Sequence, residues 1–320
     1  MQSKIKLGIV GCGRLGVAVA EAATVCPDID LVGVFSRRDK SDIKTYSCGA
    51  DILPFSEVEN YAEAIDCMIV ATGSNDTESI TPTLASLFNV VDSFDCHDRL
   101  AQHVSRVDAA ARAADKSALV GTGWDPGLLS LGRLYLGAFM PYAAVNTLWG
   151  RGVSLGHSAA LRTVPGVKHA VQYTEPKEKA AAAARGGKQL TAGEAHRRVC
   201  YIVAEPGTEA QIIEAIFGQN GYFSGYDTEV RFISEAEFLA SHTTAPHRGE
   251  VLAAGGMGIA SPEHAEASLT LSCTSNAAFT ANILIASARA LMRLTAEGKR
   301  GAFTVFDIPP RLFAADASML

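Results

Sequence analysis

The sequence contains no Cys-x-x-Cys. Its seven cysteines, Cys12, Cys26, Cys48, Cys67, Cys96, Cys200 and Cys273, are scattered and odd in number. This pattern excludes a disulfide frame and a zinc site built on paired thiolates, and fits reduced thiols in the cytoplasm. No metal site is expected. Positive charge is not in excess either: the formal net charge is -6, which argues against a nucleic-acid partner. No uninterrupted apolar run reaches the length of a membrane span. The N-terminus leads directly into a strand pattern, which leaves no room for a signal peptide. There is no internal repeat. Hydrophobic residues make up 48% and charged residues 19%, so the chain is no disordered segment, and 320 residues suffice for two domains with cores of their own.

The most informative stretch runs from Lys4 to Arg38 and reads as strand, tight turn, helix and strand. Ile5 to Val10 is a short apolar run suited to a buried parallel strand. Gly11-Cys12-Gly13-Arg14-Leu15-Gly16 follows, a complete G-x-G-x-x-G. Gly11 permits the sharp turn, Gly13 lets a pyrophosphate approach the backbone, and Gly16 lets the helix lie close to the strand. The helix N-terminus offers unpaired N–H groups and a positive dipole end to phosphate. The second strand ends in Ser36-Arg37-Arg38, where an NAD enzyme carries Asp or Glu. Two guanidinium groups and a hydroxyl suit a 2′-phosphate, so the expected cofactor is NADP.

The alternation of β and α continues. Ile65 to Ala71 is another buried-strand pattern, and it ends in Thr72-Gly73-Ser74, which the doubly wound arrangement places along the cofactor cleft. A helix is expected over Ile80 to Leu87, a strand at Val90 to Ser93, a helix from His97 to Ala114 and a strand at Ala118 to Gly121. The fold class is α/β: a Rossmann-type doubly wound domain over residues 1–121, followed by a mixed α+β domain over 122–294 for substrate and dimerisation. The last helix and the tail, with residues 295–320, are expected to pack back on the first domain. Ala180 to Ala184 reads as an exposed helix, and Phe279 to Leu294 as a long apolar one.

Two acidic stretches follow strand ends of the first domain: Asp92-Ser93-Phe94-Asp95-Cys96-His97 and Thr122-Gly123-Trp124-Asp125-Pro126-Gly127. Carboxylates there can hold a substrate ammonium, and Trp124 beside Asp125 can form an apolar wall that strengthens the charge pairing. Each aspartate has a structural alternative. Asp95 precedes a helix start, and Asp125 before Pro126 is a good N-cap arrangement. On these grounds both readings stay open. In the second domain spacing alone does not join any polar residues into a site.

Seven segments, GIVGCGRLG, LVGVFSRRD, VVDSFDCH, GTGWDPGL, WGRGVSLGHS, PGVKHAVQYTEP and GAFTVFDIP, cover nearly the whole length. Through them the chain resembles the meso-diaminopimelate dehydrogenases. The resemblance implies a homodimeric, NADP-dependent enzyme of bacterial lysine and cell-wall metabolism. It removes the D-configured amino group of meso-2,6-diaminopimelate, giving L-2-amino-6-oxopimelate and ammonia. By the same resemblance Asp95 and Asp125 hold the reacting ammonium, with Asp92 beside them, and Trp124 and Trp149 wall the pocket. Arg198 pairs the distal carboxylate, with Thr174, His247 and Asn276 completing recognition, and the loop carrying Leu155 and Gly156 approaches the substrate.

The chain departs from the family where S-Q-G-H-S-D is common: it reads Ser154-Leu155-Gly156-His157-Ser158-Ala159. Losing a Gln and an Asp makes the expected pocket more apolar and roomier, with weaker discrimination against simpler D-amino acids. Arg248 after His247 is a second departure, either a cation near the distal carboxylate or a solvent-facing one. Two other readings remain at this point. One is a sugar or semialdehyde dehydrogenase, although the Glu-Lys-Pro of the sugar enzymes is missing and only Cys96 beside His97 hints at a thiol nucleophile. The other is a non-catalytic NADP-binding protein.

Overall fold

The computed structural model describes residues 4–39, 43, 49–218, 225–243, 246–258 and 263–315. They form two compact units, Met1–Leu128 with Ala277–Leu320, and Leu129–Asn276.

The first unit begins with β1 (Ile5–Val10), α1 (Arg14–Val25), β2 (Ile29–Ser36) and a short β3 (Ile52–Pro54). It continues through β4 (Cys67–Val70), α2 (Ser74–Ala85), β5 (Asn89–Asp92), α3 (His97–Ala113) and β6 (Ser117–Leu119). All four residues of β4 are buried, as its unbroken apolar run requires of a strand covered on both faces. α1 packs on the sheet through Gly16, Val19, Ala20 and Ala23, a small-residue stripe at helical spacing. The helix expected from Ile80 starts earlier, at Ser74, with Gly73 as its N-cap. Pro82 lies inside that helix.

The second unit holds α4 (Leu129–Phe139), β7 (Ala144–Trp149), β8 (Gly152–Val153), α5 (Leu155–Arg162) and β9 (Val167–Pro176). Then come α6 (Ala180–Arg185), α7 (Ala192–Ala195), β10 (His196–Ala204), α8 (Glu209–Gly218) and β11 (Asp227–Phe232). α9 (Glu235–Ser241), β12 (His247–Gly256) and β13 (His264–Cys273) complete it. Two sheets result, one ordered β11-β10-β9-β8 and one ordered β13-β12-β7. The alanine-rich α6 is not the exposed helix expected. Ala180 and Ala184 are buried against Leu148 and Leu252, because a side chain of one methyl lets a helix lie close on a sheet.

The chain returns to the first unit with α10 (Asn276–Ala296) and β14 (Gly301–Phe303), which pairs in parallel with β6. The first sheet therefore has seven strands, ordered β14-β6-β5-β4-β1-β2-β3, all paired in parallel. The return comes earlier than residue 295. Ala281, Leu284, Ile285, Ala288 and Leu291 of α10 join Leu7, Ile9, Val19 and Val34 in one core cluster. The forward boundary likewise falls after Leu128 rather than after Gly121. α10 has the length and hydropathy of a membrane span, yet 61% of its apolar window is buried, as suits a core helix. Its Arg289 holds Asp28 with two hydrogen bonds of 2.5 and 2.9 Å and reaches the Phe313 carbonyl at 3.2 Å.

Leu284 is fully buried. Leu284→Ala should cost about 3 kcal/mol of stability, measured as a lower urea midpoint. A midpoint within error of wild type would place α10 outside the core of the first unit.

Candidate active site

In the first unit the functional loops follow the carboxyl ends of β1, β2, β4, β5 and β6. Gly11 has φ +113°, and a Cβ there would lie 2.5 Å from the Ala71 carbonyl oxygen, so only glycine fits this turn. A Cβ on Gly13 would meet nothing within 4 Å. That open space at the N-terminus of α1 fits a pyrophosphate. Arg14 and Leu15 open the helix, with Gly16 buried under it.

Ser36, Arg37 and Arg38 gather beside this loop. The Ser36 hydroxyl is buried, lies 3.1 Å from Cys12 Sγ and accepts the Arg38 N–H at 2.9 Å. Arg38 donates to the Cys12 carbonyl at 3.0 Å, which ties the second-strand loop to the glycine loop. Arg37 is paired with Asp76 at 2.6 Å, with both side chains substantially exposed. An exposed pair is worth little, so a 2′-phosphate can take the guanidinium from it. Thr72 and Gly73 lead into α2, and the Thr72 hydroxyl bonds that of Thr77 at 2.8 Å. The side chains of Ser74 and Leu155 lie outside the described residues.

Asp95 is exposed after β5, and the N-cap of α3 is Cys96, with no side-chain cap bond. Asp95 is therefore not that cap. Asp125 sits in extended backbone (φ -160°, ψ 106°) before Pro126, in a kinked, non-helical segment ahead of α4. Its peptide bond to Pro126 is cis. Its side chain is 10% exposed and lies 3.9 Å from His97 Nε2, with His97 3.2 Å from its carbonyl. Trp124 is buried with its ring 4.9 Å from that of Phe279. Asp92 is not where a substrate contact would be. It is 0% exposed, and its carboxylate accepts from Phe94 and Gly121 N–H groups and from His103.

The second unit brings together residues that spacing could not join. Arg198 and Thr174 are direct cross-strand partners, and Gly152 pairs Thr174 from the other side. The two side chains therefore share one sheet face. The Tyr226 ring lies 3.6 Å from the Arg198 guanidinium carbon, a cation–π contact within a largely buried setting. The His247 ring lies 5.1 Å from that of Trp149, tilted by 33°, and a Cβ on Gly152 would lie 2.5 Å from its Nδ1, so the strand can approach only as glycine. Asn276 donates to the Val153 carbonyl at 3.3 Å. Trp149 is oriented through its backbone, whose N–H donates to His196 Nε2 at 2.7 Å while His196 Nδ1 donates to the Ala192 carbonyl. Arg248 is exposed and lies along Gly150, so it is the solvent-facing alternative that the structure takes.

Three residues beside these were missed in the sequence: His157, Tyr226 and His196. His157 stood inside the SLGHS segment, while Tyr226 carried no signal. Ser154 caps α5, and its hydroxyl lies 2.5 Å from His157 Nδ1. Burial, with the Arg198 charge behind it, pushes the His157 pKa down to about 3, and burial pushes His247 down to about 4. Both rings are neutral near pH 7, which leaves Arg198 as the cation of this set.

These shifts carry a pH signature. Unfolding returns each imidazole to its ordinary value near 6.5, so between that pH and the folded value the unfolded chain binds more protons. Their contribution is whole above pH 6.5 and is lost as pH falls toward 4. The thermal midpoint should therefore drop between about pH 7 and about pH 4.5, and His157→Gln should drop less steeply. Parallel profiles for the two proteins would remove His157 as a source.

The comparisons agree over nearly all of the chain. A family model described as the diaminopimelic acid dehydrogenase C-terminal domain matches residues 123–273. The meso-diaminopimelate D-dehydrogenase of Lysinibacillus sphaericus is 43% identical over 96% of this chain and 94% of its own. A structure of the Corynebacterium glutamicum diaminopimelate dehydrogenase in complex with DAP superposes with a TM-score of 0.92 at 38% identity, covering 98% of this chain and 97% of that one. An engineered D-amino acid dehydrogenase bound to NADP+ gives 0.93 at 37% identity, over 98% and 97% of the two chains. A parallel sheet closed by a glycine turn, two carboxylates after its strand ends and an arginine-centred polar set thus occur in a chain that belongs to the meso-diaminopimelate D-dehydrogenase family.

Proposed function

We propose that this chain oxidises the D-centre of meso-2,6-diaminopimelate with NADP, releasing ammonia and L-2-amino-6-oxopimelate, and runs the reductive amination in reverse. The observation that carries the reading is the in-register pair Thr174 and Arg198, with Tyr226 against the guanidinium: a buried fork suited to a carboxylate remote from the chemistry. Arg37 and Arg38 take the 2′-phosphate, and Gly11 to Gly16 take the pyrophosphate. NADP supplies the hydride acceptor. Asp95 and Asp125 hold the ammonium of the D-centre with Trp124 beside them, and Trp149 walls the pocket of the second unit next to His247. The amine sheds a proton before hydride leaves the carbon, and water then adds to the imine. Arg198, Thr174, His247 and Asn276 bind the L-centre, and that binding energy orients the far end for reaction. Leu155 and Ala159 leave the pocket less polar than in relatives with Gln and Asp there, so selectivity against apolar D-amino acids is relaxed.

The test is NADPH formation by wild type and variants. Wild type should turn over meso-diaminopimelate and prefer NADP, and Arg37→Ala should lose that preference. Arg198→Met should lower kcat/KM for meso-diaminopimelate on the order of 100-fold, mostly through KM, because it removes one partner of a buried charge pair. The same variant should barely change turnover of D-alanine. Leu155→Gln with Ala159→Asp should raise the preference for meso-diaminopimelate over D-alanine. Equal losses of Arg198→Met on both substrates would defeat the assignment of the distal site.

The working form is a homodimer in the cytoplasm. Free cysteines, buried and half-buried, support the compartment. Leu134, Tyr135, Phe139 and Tyr142 support the dimer, since these large apolar side chains of α4 and the turn after it stand exposed, Phe139 by 73%. Light scattering should give twice the 33.7 kDa chain mass, and Phe139→Glu should shift it toward one. A monomeric wild type would overturn the dimer.

A further inference from the structure

The buried Asp92 has no place in the reaction described above, yet it joins the two loops that carry Asp95 and Asp125. It ends β5, and one of its carboxylate oxygens accepts the Phe94 N–H at 3.2 Å and the Gly121 N–H at 2.8 Å. Phe94 precedes Asp95 in the loop after β5. Gly121 opens the loop after β6, which carries Asp125. The Asp92 carbonyl accepts twice more from that second loop, from the Thr122 N–H at 2.9 Å and the Thr122 hydroxyl at 2.8 Å. Gly121 has φ +66°, and a Cβ there would stand 3.0 Å from Leu100, so the turn is closed tightly over the same point.

The other carboxylate oxygen is 2.7 Å from His103 Nε2, with both side chains 0% exposed. A carboxylate only accepts, so the ring proton sits on Nε2, and Nδ1 has no partner among the described residues. The His103 ring in turn lies 4.3 Å from that of Phe94. α3 thus grips the first loop through a ring contact and the carboxylate through a hydrogen bond. A buried carboxylate deprived of such donors is costly, so the two loops and the helix are bound to one arrangement.

We propose that Asp92, fixed by His103, is a positioning residue of the reaction: it touches no substrate but sets where Asp95 and Asp125 stand relative to each other. The proposal rests on the reading that those two carboxylates hold the reacting ammonium. A displacement of about 1 Å at a reacting centre costs about 100-fold in rate. Support of this kind is what keeps such groups in productive geometry.

The test is steady-state kinetics on the full-length enzyme with NADP and meso-diaminopimelate, alongside NADPH binding by fluorescence. Asp92→Ala should lower kcat about 100-fold while NADPH affinity is kept. Asp92→Asn should recover much of that loss, because an amide oxygen still accepts from Phe94 and Gly121 and its NH2 can face the other His103 tautomer. His103→Leu, apolar and of similar bulk, removes the hydrogen bond that holds the second carboxylate oxygen and should lower kcat about threefold to tenfold, the range expected for one lost hydrogen bond. It decides the matter if Asp92→Ala does not fold. The distinguishing measurement is a double-mutant cycle with Asp125→Asn. A residue acting through Asp125 loses most of its effect once Asp125 is disabled. Additive losses, or full kcat in His103→Leu, would overturn the proposal. Undiminished activity of both Asp95→Asn and Asp125→Asn would remove the ammonium assignment beneath it. If instead those two lose activity and Asp92→Ala does not, the assignment stands and only the positioning role falls.

Discussion

Parallel pairing leaves the first unit one edge on which to do chemistry. Because β1, β2, β4, β5 and β6 all point the same way, their following loops emerge together: the glycine turn, the paired arginines, Thr72-Gly73 and the two aspartate loops. The strands are buried on both faces, so their side chains are committed to packing and function passes to these loops. Each loop is then tied to its neighbour. Arg38 reaches the Cys12 carbonyl, and Asp92 takes N–H groups from both aspartate loops. α10 supports the arrangement from one side, through the apolar face that it shares with β1 and α1.

The second unit solves a different problem. A buried guanidinium needs company, and Arg198 finds it in the Thr174 register and the Tyr226 ring. The histidines around it stay neutral because burial opposes their protonation, so the set presents one concentrated positive charge rather than several weak ones.

Much of this was legible in order along the chain. Local patterns were reliable where one interaction dominates: buried runs for β1 and β4, and the glycine turn between β1 and α1. They failed where packing overrides composition. The run of alanines in α6 read as an exposed helix but serves as a close-packing face, and the boundary drawn at residue 295 falls inside α10, which belongs to the first unit from Ala277. Asp92 lay in the right stretch with the wrong role, since spacing cannot tell a carboxylate aimed at substrate from one aimed at backbone N–H groups two and twenty-nine residues away.

By itself the sequence determined the cofactor class, the doubly wound first unit and, through its extended motifs, the family. Those rest on contacts between residues near in the chain, or on whole segments read together. Only the tertiary structure decided that Thr174 and Tyr226 stand against Arg198, that His157 and His247 are neutral, and that the Asp92 carboxylate is buried on backbone N–H groups and His103. Each of these depends on strand register and burial, which are properties of residues far apart in the chain that no local spacing encodes.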